Sequence, residues 1–121
     1  LTAGNILMQW TNDQPIYQQV RDHVVSLIID DVLKTGDPIP SVRQMAIEGG
    51  VNPLTVSKAY QELVDLHIVE KRRGLGMFIT ENAKKELLKL EKSKFLKNEW
   101  PNTIRRAQSL GLDLVELLSK N

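Results

Sequence analysis

The stretch EGGVNPLTVSKAYQEL, residues 48–63, decides how this chain folds. Gly49 and Gly50 halt whatever precedes them, and a helical pattern restarts within three residues. Asn52 suits an N-cap, since its side-chain oxygen can accept a hydrogen bond from an amide of the new first turn. Pro53 suits the first helical position, where no amide donor is needed. Val51 stands where it can staple onto Val56. At about 100° per residue, Val56, Ala59, Tyr60, Leu63 and Leu66 fall on one side. Leu54, Lys58, Gln61 and Asp65 lie opposite, with Thr55 and Ser57 flanking them. The apolar face serves a core, and the opposite face is left for another purpose.

Upstream, SVRQMAIE (41–48) reads as a short helix. Ser41 with Gln44 three residues on forms a capping-box pattern, and Val42, Met45 and Ala46 supply an inner face. Gly49 and Gly50 end it. Helix, glycine-containing turn, helix is a helix-turn-helix pattern. Before it, DQPIYQQVRDHVVSLIIDDVL (13–33) carries Ile16, Val20, Val24, Leu27 and Ile28 at helical spacing, with Asp13 expected as its cap and Pro15 in its first turn. KTGDPIP (34–40) then stops the chain.

Downstream, IVEKRRGLGMFIT (68–80) places β-branched and aromatic residues on both sides of RGLG, and Gly74 and Gly76 permit the positive φ angles of a hairpin tip. From Glu81 the chain is expected to be helical again. Leu88, Phe95, Leu96, Trp100, Ile104, Ala107 and Leu110 keep roughly helical spacing across Pro101, which predicts one long helix kinked or broken near that proline. Gly111 stops it, and Asp113 with Glu116 starts a short last helix. The fold class is therefore mainly α with a small β-hairpin: a winged helix-turn-helix over 1–81, then a short helical tail over 82–121.

Composition excludes several function classes. Hydrophobic residues make up 41% and charged residues 26% of 121 positions, ordinary for a globular protein. There is no cysteine, so disulfides, thiolate zinc sites and a cysteine nucleophile are all absent, which fits a reducing cytoplasm. No apolar run approaches the roughly 20 residues of a membrane helix, and LTAGNILMQW lacks the layout of a signal peptide. Residues 1–7, ahead of Met8, read as either a natural arm or an added remnant. His23 beside Asp22 and the lone His67 read as surface residues. No metal spacing, nucleophile elbow or phosphate loop accompanies them. We expect no catalytic residue, no metal and no cofactor.

The net charge is +1, but its distribution is uneven. Residues 1–40 hold two Lys/Arg against five Asp/Glu, residues 41–82 five of each, and residues 83–121 nine against five. Any attraction to nucleic acid must come from local placement of cations. The third helix has that placement. Its first two turns are small, polar or cationic, while Glu62 and Asp65 sit at the trailing end. A recognition helix enters the major groove by its N-terminal part, where the helix dipole also favours phosphate. Arg43 projects from the first turn of the second helix, and Lys71, Arg72 and Arg73 run into the hairpin tip. These are positions for phosphate or groove contacts.

The segments PIYQQV, LKTGDPIPSVRQMA and GVNPLTVSKAYQELVDLHIVEKRRGLGMFI strongly resemble the DNA-binding domain of GntR-family bacterial transcription regulators, from about Pro15 to Ile79. The tail is too short for the ligand-binding domains of most subfamilies. Its A-x-x-L-G-L ending, residues 107–112, resembles the YtrA-type subfamily, whose brief helical tail dimerises. The resemblance implies DNA contacts from Arg43, Asn52, Pro53, Leu54, Thr55, Lys58, Arg72, Arg73 and Gly74. With Ser57, Gln61, Lys71 and Gly76 from the exposed faces, these form the expected interface. Four positions depart from the family pattern. Leu54 replaces a polar residue and could meet a thymine methyl. His67 stands where a glycine usually ends the recognition helix. Gly49 replaces a leucine, and Asp37-Pro38 replaces Asp-Arg.

The expected partners are double-stranded DNA and a second copy of the chain, joined through Leu88, Phe95, Leu96, Trp100, Ile104, Ala107 and Leu110. Any small-molecule effector would have to bind between chains or between domain and tail, and no residue identifies it. The competing reading is a winged-helix module that binds protein instead of DNA.

Overall fold

The computed structural model describes residues 9–120, so residues 1–7 lie outside the described part. The element order is α1 (Ile16–Ile29), α2 (Val42–Gly49), α3 (Pro53–Asp65), β1 (Val69–Arg72), β2 (Gly76–Ile79), α4 (Ala83–Lys94), a π-helical turn (Phe95–Glu99), α5 (Trp100–Ser109) and α6 (Leu114–Ser119). The chain divides into two compact units between Leu87 and Leu88.

In the first unit the local signals act as their chemistry requires. Ser41 Oγ accepts from the Gln44 amide at 3.0 Å and opens α2. Gly50, left-handed at φ 62°, closes it, and the Val51 amide returns to the Ala46 carbonyl. Asn52 Oδ1 accepts from the Leu54 amide at 2.8 Å and opens α3 on Pro53. Around these ends packs one apolar core. Val20, Val24 and Ile28 come from α1, Met45 and Ala46 from α2, Val56, Ala59, Tyr60 and Leu63 from α3. Ile68, Val69 and Ile79 close it from the base of the hairpin, and Ala83 and Leu87 from the start of α4.

A lone two-stranded hairpin is marginal in water, and this one is not left alone. Antiparallel pairing runs from Val69 opposite Ile79 to Arg72 opposite Gly76. The connection before α2 adds backbone bonds on the other edge: Ile39 N to Met77 O at 3.0 Å, Gly36 N to Ile79 O and Ile79 N to Asp37 O, both at 2.9 Å. The hairpin is thereby fixed relative to α2 and α3. At its tip Gly76 has φ 115°, a conformation that side-chain-bearing residues rarely adopt.

Several expectations need correction. Asp13 does not cap α1: Pro15 is the N-cap residue and supplies no side-chain bond, while its carbonyl accepts from the Gln18 and Gln19 amides. Asp13 accepts instead from the Thr11 hydroxyl. The Gln19 side chain ties down the chain before α1, donating to the Thr11 and Gln14 carbonyls. Leu66 is not inward but 48% exposed. Helix α3 ends at Asp65, and His67 turns left-handed, so Leu66 leaves the buried stripe. His23 is half-buried with its ring edge-on to Trp10 at 6.3 Å, and is no simple surface histidine. Helix α4 begins at Ala83, two residues after Glu81.

The second unit is helical around Pro101, but there is no break in it. Pro101 has no amide to donate, and its ring crowds the carbonyl four residues back. The ladder widens immediately upstream: the Trp100 amide reaches the Phe95 carbonyl, five residues away, while φ and ψ at Lys94 and Trp100 stay helical. Gly111 (φ 72°) ends α5, with the Leu112 amide bonded to the Ala107 carbonyl. Asp113 Oδ1 caps α6 by accepting from Val115 and Glu116 amides.

Candidate nucleic-acid interface

The outward face of α3 is open where the sequence predicts. Asn52, Pro53, Leu54, Ser57, Lys58 and Gln61 are exposed, Leu54 by 79%, and Thr55 is half-buried. Two of these side chains are not idle in the free protein. Lys58 Nζ sits 3.9 Å from the centre of the Tyr17 ring, so α1 holds the cation in place by its aromatic face. Gln61 Nε2 donates to Asp65 Oδ1 at 3.0 Å.

The acids at the trailing end are likewise engaged. Arg21 Nη1 on α1 donates to Glu62 Oε1 at 2.6 Å, and the same guanidinium meets Asp22 at 3.2 Å. Partial burial acts to lower the Arg21 pKa, but bonding to Glu62 and the nearby Asp22 outweigh it, so the group is held charged. Glu62 is therefore paired, through a guanidinium it shares with Asp22, and the repulsion it would offer a phosphate is reduced. Tyr60 anchors the rear of the helix. Burial raises its phenol well above the usual range, so it stays protonated and donates to the Pro40 carbonyl at 2.7 Å.

Arg43 is exposed, and among the described residues it has no side-chain partner. The hairpin cations do not all project from one strand face. Alternation along β1 separates Lys71 from Arg72 onto opposite faces. Lys71 pairs across from Met77, while Arg72 is on the face of Glu70 and Phe78; Lys71, Arg72 and Arg73 all border one cleft with Tyr60 and Ser41. Arg72 donates through Nε and Nη2 to Glu70 Oε1 at 3.0 and 2.8 Å and lies over the Phe78 ring at 4.4 Å. Among the described residues Lys71 and Arg73 have no such partner.

Two clefts join these groups into one surface. One, of about 520 Å³, lies between the hairpin tip and the start of α2 and is lined by Pro38, Pro40, Val42, Lys71, Arg73 and Met77 among others. The second, of about 500 Å³, is lined by Arg43, Ile47, Val51 and Pro53 and carries the surface from α2 to the tip of α3. Gly74 and Gly76 are exposed at the hairpin tip. Gly49, the departure at the turn, accepts from Trp10 Nε1 at 2.7 Å through its carbonyl.

Sequence reasoning did not find Tyr17, Glu70 or Phe78 as members of this surface. The Tyr17–Lys58 contact joins residues far apart in sequence, and local periodicity carries no trace of it. Glu70 and Phe78 were within reach, because period-two alternation alone puts Glu70 and Arg72 on one face. Among the described residues no group of acidic and imidazole side chains could hold a metal ion, and no helix is long and apolar enough to cross a membrane.

In the second unit Phe95, Leu96 and Leu110 are exposed, Leu88, Trp100 and Ile104 half-buried, and Ala107 buried within the chain. The Phe95 and Trp100 rings lie 6.2 Å apart. Val115 and Leu118 on α6, which the sequence reading passed over, are 79% and 63% exposed.

Comparison with known proteins bears on the whole arrangement. The family model described as bacterial regulatory proteins, gntR family, matches residues 16–79. The HTH-type transcriptional repressor YtrA of Bacillus subtilis is 40% identical over 103 residues, 85% of this chain and 78% of that protein. A crystal structure of a transcriptional regulator from Oenococcus oeni superposes with a TM-score of 0.71 at 31% identity, covering 93% of this chain and 92% of that one. The AraR DNA-binding domain in complex with operator ORE1 matches with a TM-score of 0.54 at 27% identity, covering 55% of this chain and 82% of that one.

Proposed function

The chain belongs to the GntR family of bacterial regulatory proteins, and from that premise we propose that it is a sequence-specific DNA-binding transcription regulator acting as a repressor. Residues 1–81 read the duplex and residues 82–121 join two copies. Helix α3 enters a major groove by its N-terminal end, so that Asn52, Leu54, Thr55, Ser57, Lys58 and Gln61 face base edges and flanking phosphates. Arg43 braces the adjacent backbone. The hairpin tip, with Lys71, Arg73 and the exposed glycines, follows the neighbouring groove.

The observation that carries this reading is polarity. Open, uncompensated or loosely held cations lie at the entering end of α3, at α2 and at the hairpin tip, while Glu62 at the trailing end is paired with Arg21. Net charge near zero is then no obstacle, because the field that a phosphate meets is local.

The apolar side chains left open on the second unit support pairing of two chains through Phe95, Leu96, Trp100, Ile104 and Leu110, with the half-buried Leu88; Ala107, already covered within its own chain, adds little. Two-fold symmetry of the pair makes the bound site pseudo-palindromic. A bound dimer blocks its promoter by occupying it, with no chemistry required of the chain, and works in the cytoplasm.

Binding measured by fluorescence anisotropy on random-sequence duplex, followed by selection of preferred sites, tests the reading. We expect affinity that falls steeply with salt and a selected site with two inverted halves. Absence of duplex binding at low salt would sink this reading and leave the protein-interaction module.

A further inference from the structure

Resting on the DNA-binding reading above, we propose that Glu70 is a specificity-setting residue. It withholds the Arg72 guanidinium from indiscriminate phosphate contact and presents what remains of it in one orientation. The two residues are next-but-one neighbours on β1, and Phe78 is the register partner of Glu70 on β2, so all three share one face of the hairpin. One carboxylate oxygen takes both the Nε and an Nη2 proton, at 3.0 and 2.8 Å, and the guanidinium lies over the Phe78 ring at 4.4 Å.

The side-on edge of the guanidinium is thus occupied, and its charge is paired. The remaining protons on Nη1 and Nη2 form the end-on edge, and the Phe78 ring backs the group that carries them. Non-specific affinity comes from unpaired cations meeting phosphate wherever it lies. Discrimination comes from oriented donors meeting a particular groove edge. Glu70 subtracts from the first and supports the second. Lys71 and Arg73, which have no such partner among the described residues, are left for the phosphates.

The pair is also reachable. Arg72 is 46% and Glu70 53% exposed at the side chain, and exposed ion pairs are weak. A well-placed acceptor on the duplex can therefore compete for the arginine, whereas a poorly placed one gains little over the carboxylate.

The test uses the full chain and two duplexes, one selected by the wild-type protein from random-sequence DNA and one unselected, titrated over a range of salt. Glu70→Gln should raise affinity for the unselected duplex about 2–5-fold, as release of an exposed pair allows. It should steepen the salt dependence by about one ion and lower the selected-to-unselected affinity ratio. In an Arg72→Ala background the same substitution should leave that ratio unchanged. Thermal melting of each variant checks that the hairpin still folds. An unchanged ratio in Glu70→Gln, or an equal change with and without Arg72, overturns the role of Glu70 while leaving DNA binding intact. Failure of the wild type to bind either duplex overturns the DNA-binding reading itself.

Discussion

In the unit that ends at Leu87, the side chains of Val20, Val24, Val56, Ala59 and Leu63 are fully enclosed. In the unit that begins at Leu88, Ala107 is the one described residue that is buried, while Leu96, Leu110, Val115 and Leu118 are more than half exposed. Both units are helical and both have apolar residues at helical spacing, so periodicity does not distinguish them. What differs is whether the chain itself supplies the opposite wall. Helices α1, α2, α3 and the hairpin base enclose one another, and the first unit closes its core with its own residues. The second unit presents its apolar side chains outward, so its energetics depend on what comes to cover them.

Truncation at matched leucines is the sharpest way to break this contrast. Leu63→Ala, at a fully enclosed site, should cost about 2–5 kcal/mol in urea unfolding of the first unit. Leu96→Ala, at a site 60% exposed, should change the unfolding of dilute single chains by no more than about 0.5 kcal/mol. Equal losses would mean that Leu96 is covered within its own chain.

The next effect is on assembly. Phe95 is 44% exposed, so Phe95→Asp puts a carboxylate where the free chain tolerates it and where a pair of chains does not. We expect sedimentation to show a single-chain species at micromolar concentration, with helicity by circular dichroism close to wild type. Trp100→Asp should act in the same direction with greater loss of helix, because the indole is half-buried and against Phe95. Intact dimers in both variants would remove these two residues from the pairing surface.

Most of the first unit was legible because its signals are local. Ser41 and Asn52 act on amides three and two residues away, Pro53 needs no amide partner at the first helical position, and the strand alternation of the hairpin needs only its own register. The misses are long-range or terminal. Asp13 has the right chemistry for a cap, yet the chain before α1 is organised by Gln19 reaching back to Thr11 and Gln14. Leu66 continues the apolar stripe of α3 by count, but the helix has ended. On the proposed DNA-binding surface, the partners of Lys58, Glu62 and Arg72 decide which charges are open, and those of Lys58 and Glu62 come from α1. In the second unit Pro101 signals a disturbance, but only the geometry shows that the ladder widens into a π-helical turn and stays continuous.

Loss of a single phosphate contact is a smaller effect. Arg43 is exposed and unpaired among the described residues, so Arg43→Ala leaves no buried group unsatisfied. Affinity should fall by a similar factor on selected and unselected duplexes, and the salt slope should drop by about one. Loss confined to the selected duplex would make Arg43 a base reader instead.

The pH response of the first unit should be set partly by His23. Burial lowers its pKa below the ordinary 6.5, so the folded chain binds fewer protons than the unfolded chain in the window beneath that value. The stability that comes from keeping the ring neutral is fully present above about pH 6.5 and is lost as pH falls through the lowered folded value. Urea midpoints for wild type should therefore drop on acidification across this window more than those of His23→Gln. Parallel midpoints would show that protonating His23 is not resisted by its surroundings.

The smallest expected effect concerns the junction between α3 and the hairpin. His67 has φ 61°, a left-handed conformation in which a Cβ crowds the carbonyl that follows, at a cost of about 1–2 kcal/mol. The turn persists because its neighbours hold it: Thr80 Oγ1 donates to the His67 carbonyl at 2.7 Å, and the His67 amide bonds to Val64 O. His67→Gly removes the crowding but gives the unfolded chain more freedom, which offsets about 0.4–1 kcal/mol. We expect a net gain of about 0.5–1 kcal/mol, seen as a higher urea midpoint with an unchanged slope. His67→Ala keeps a Cβ and should gain nothing. If alanine stabilises as much as glycine, the cost at this position lies in the imidazole and not in the backbone, and the turn joining the reading helix to its wing is unstrained.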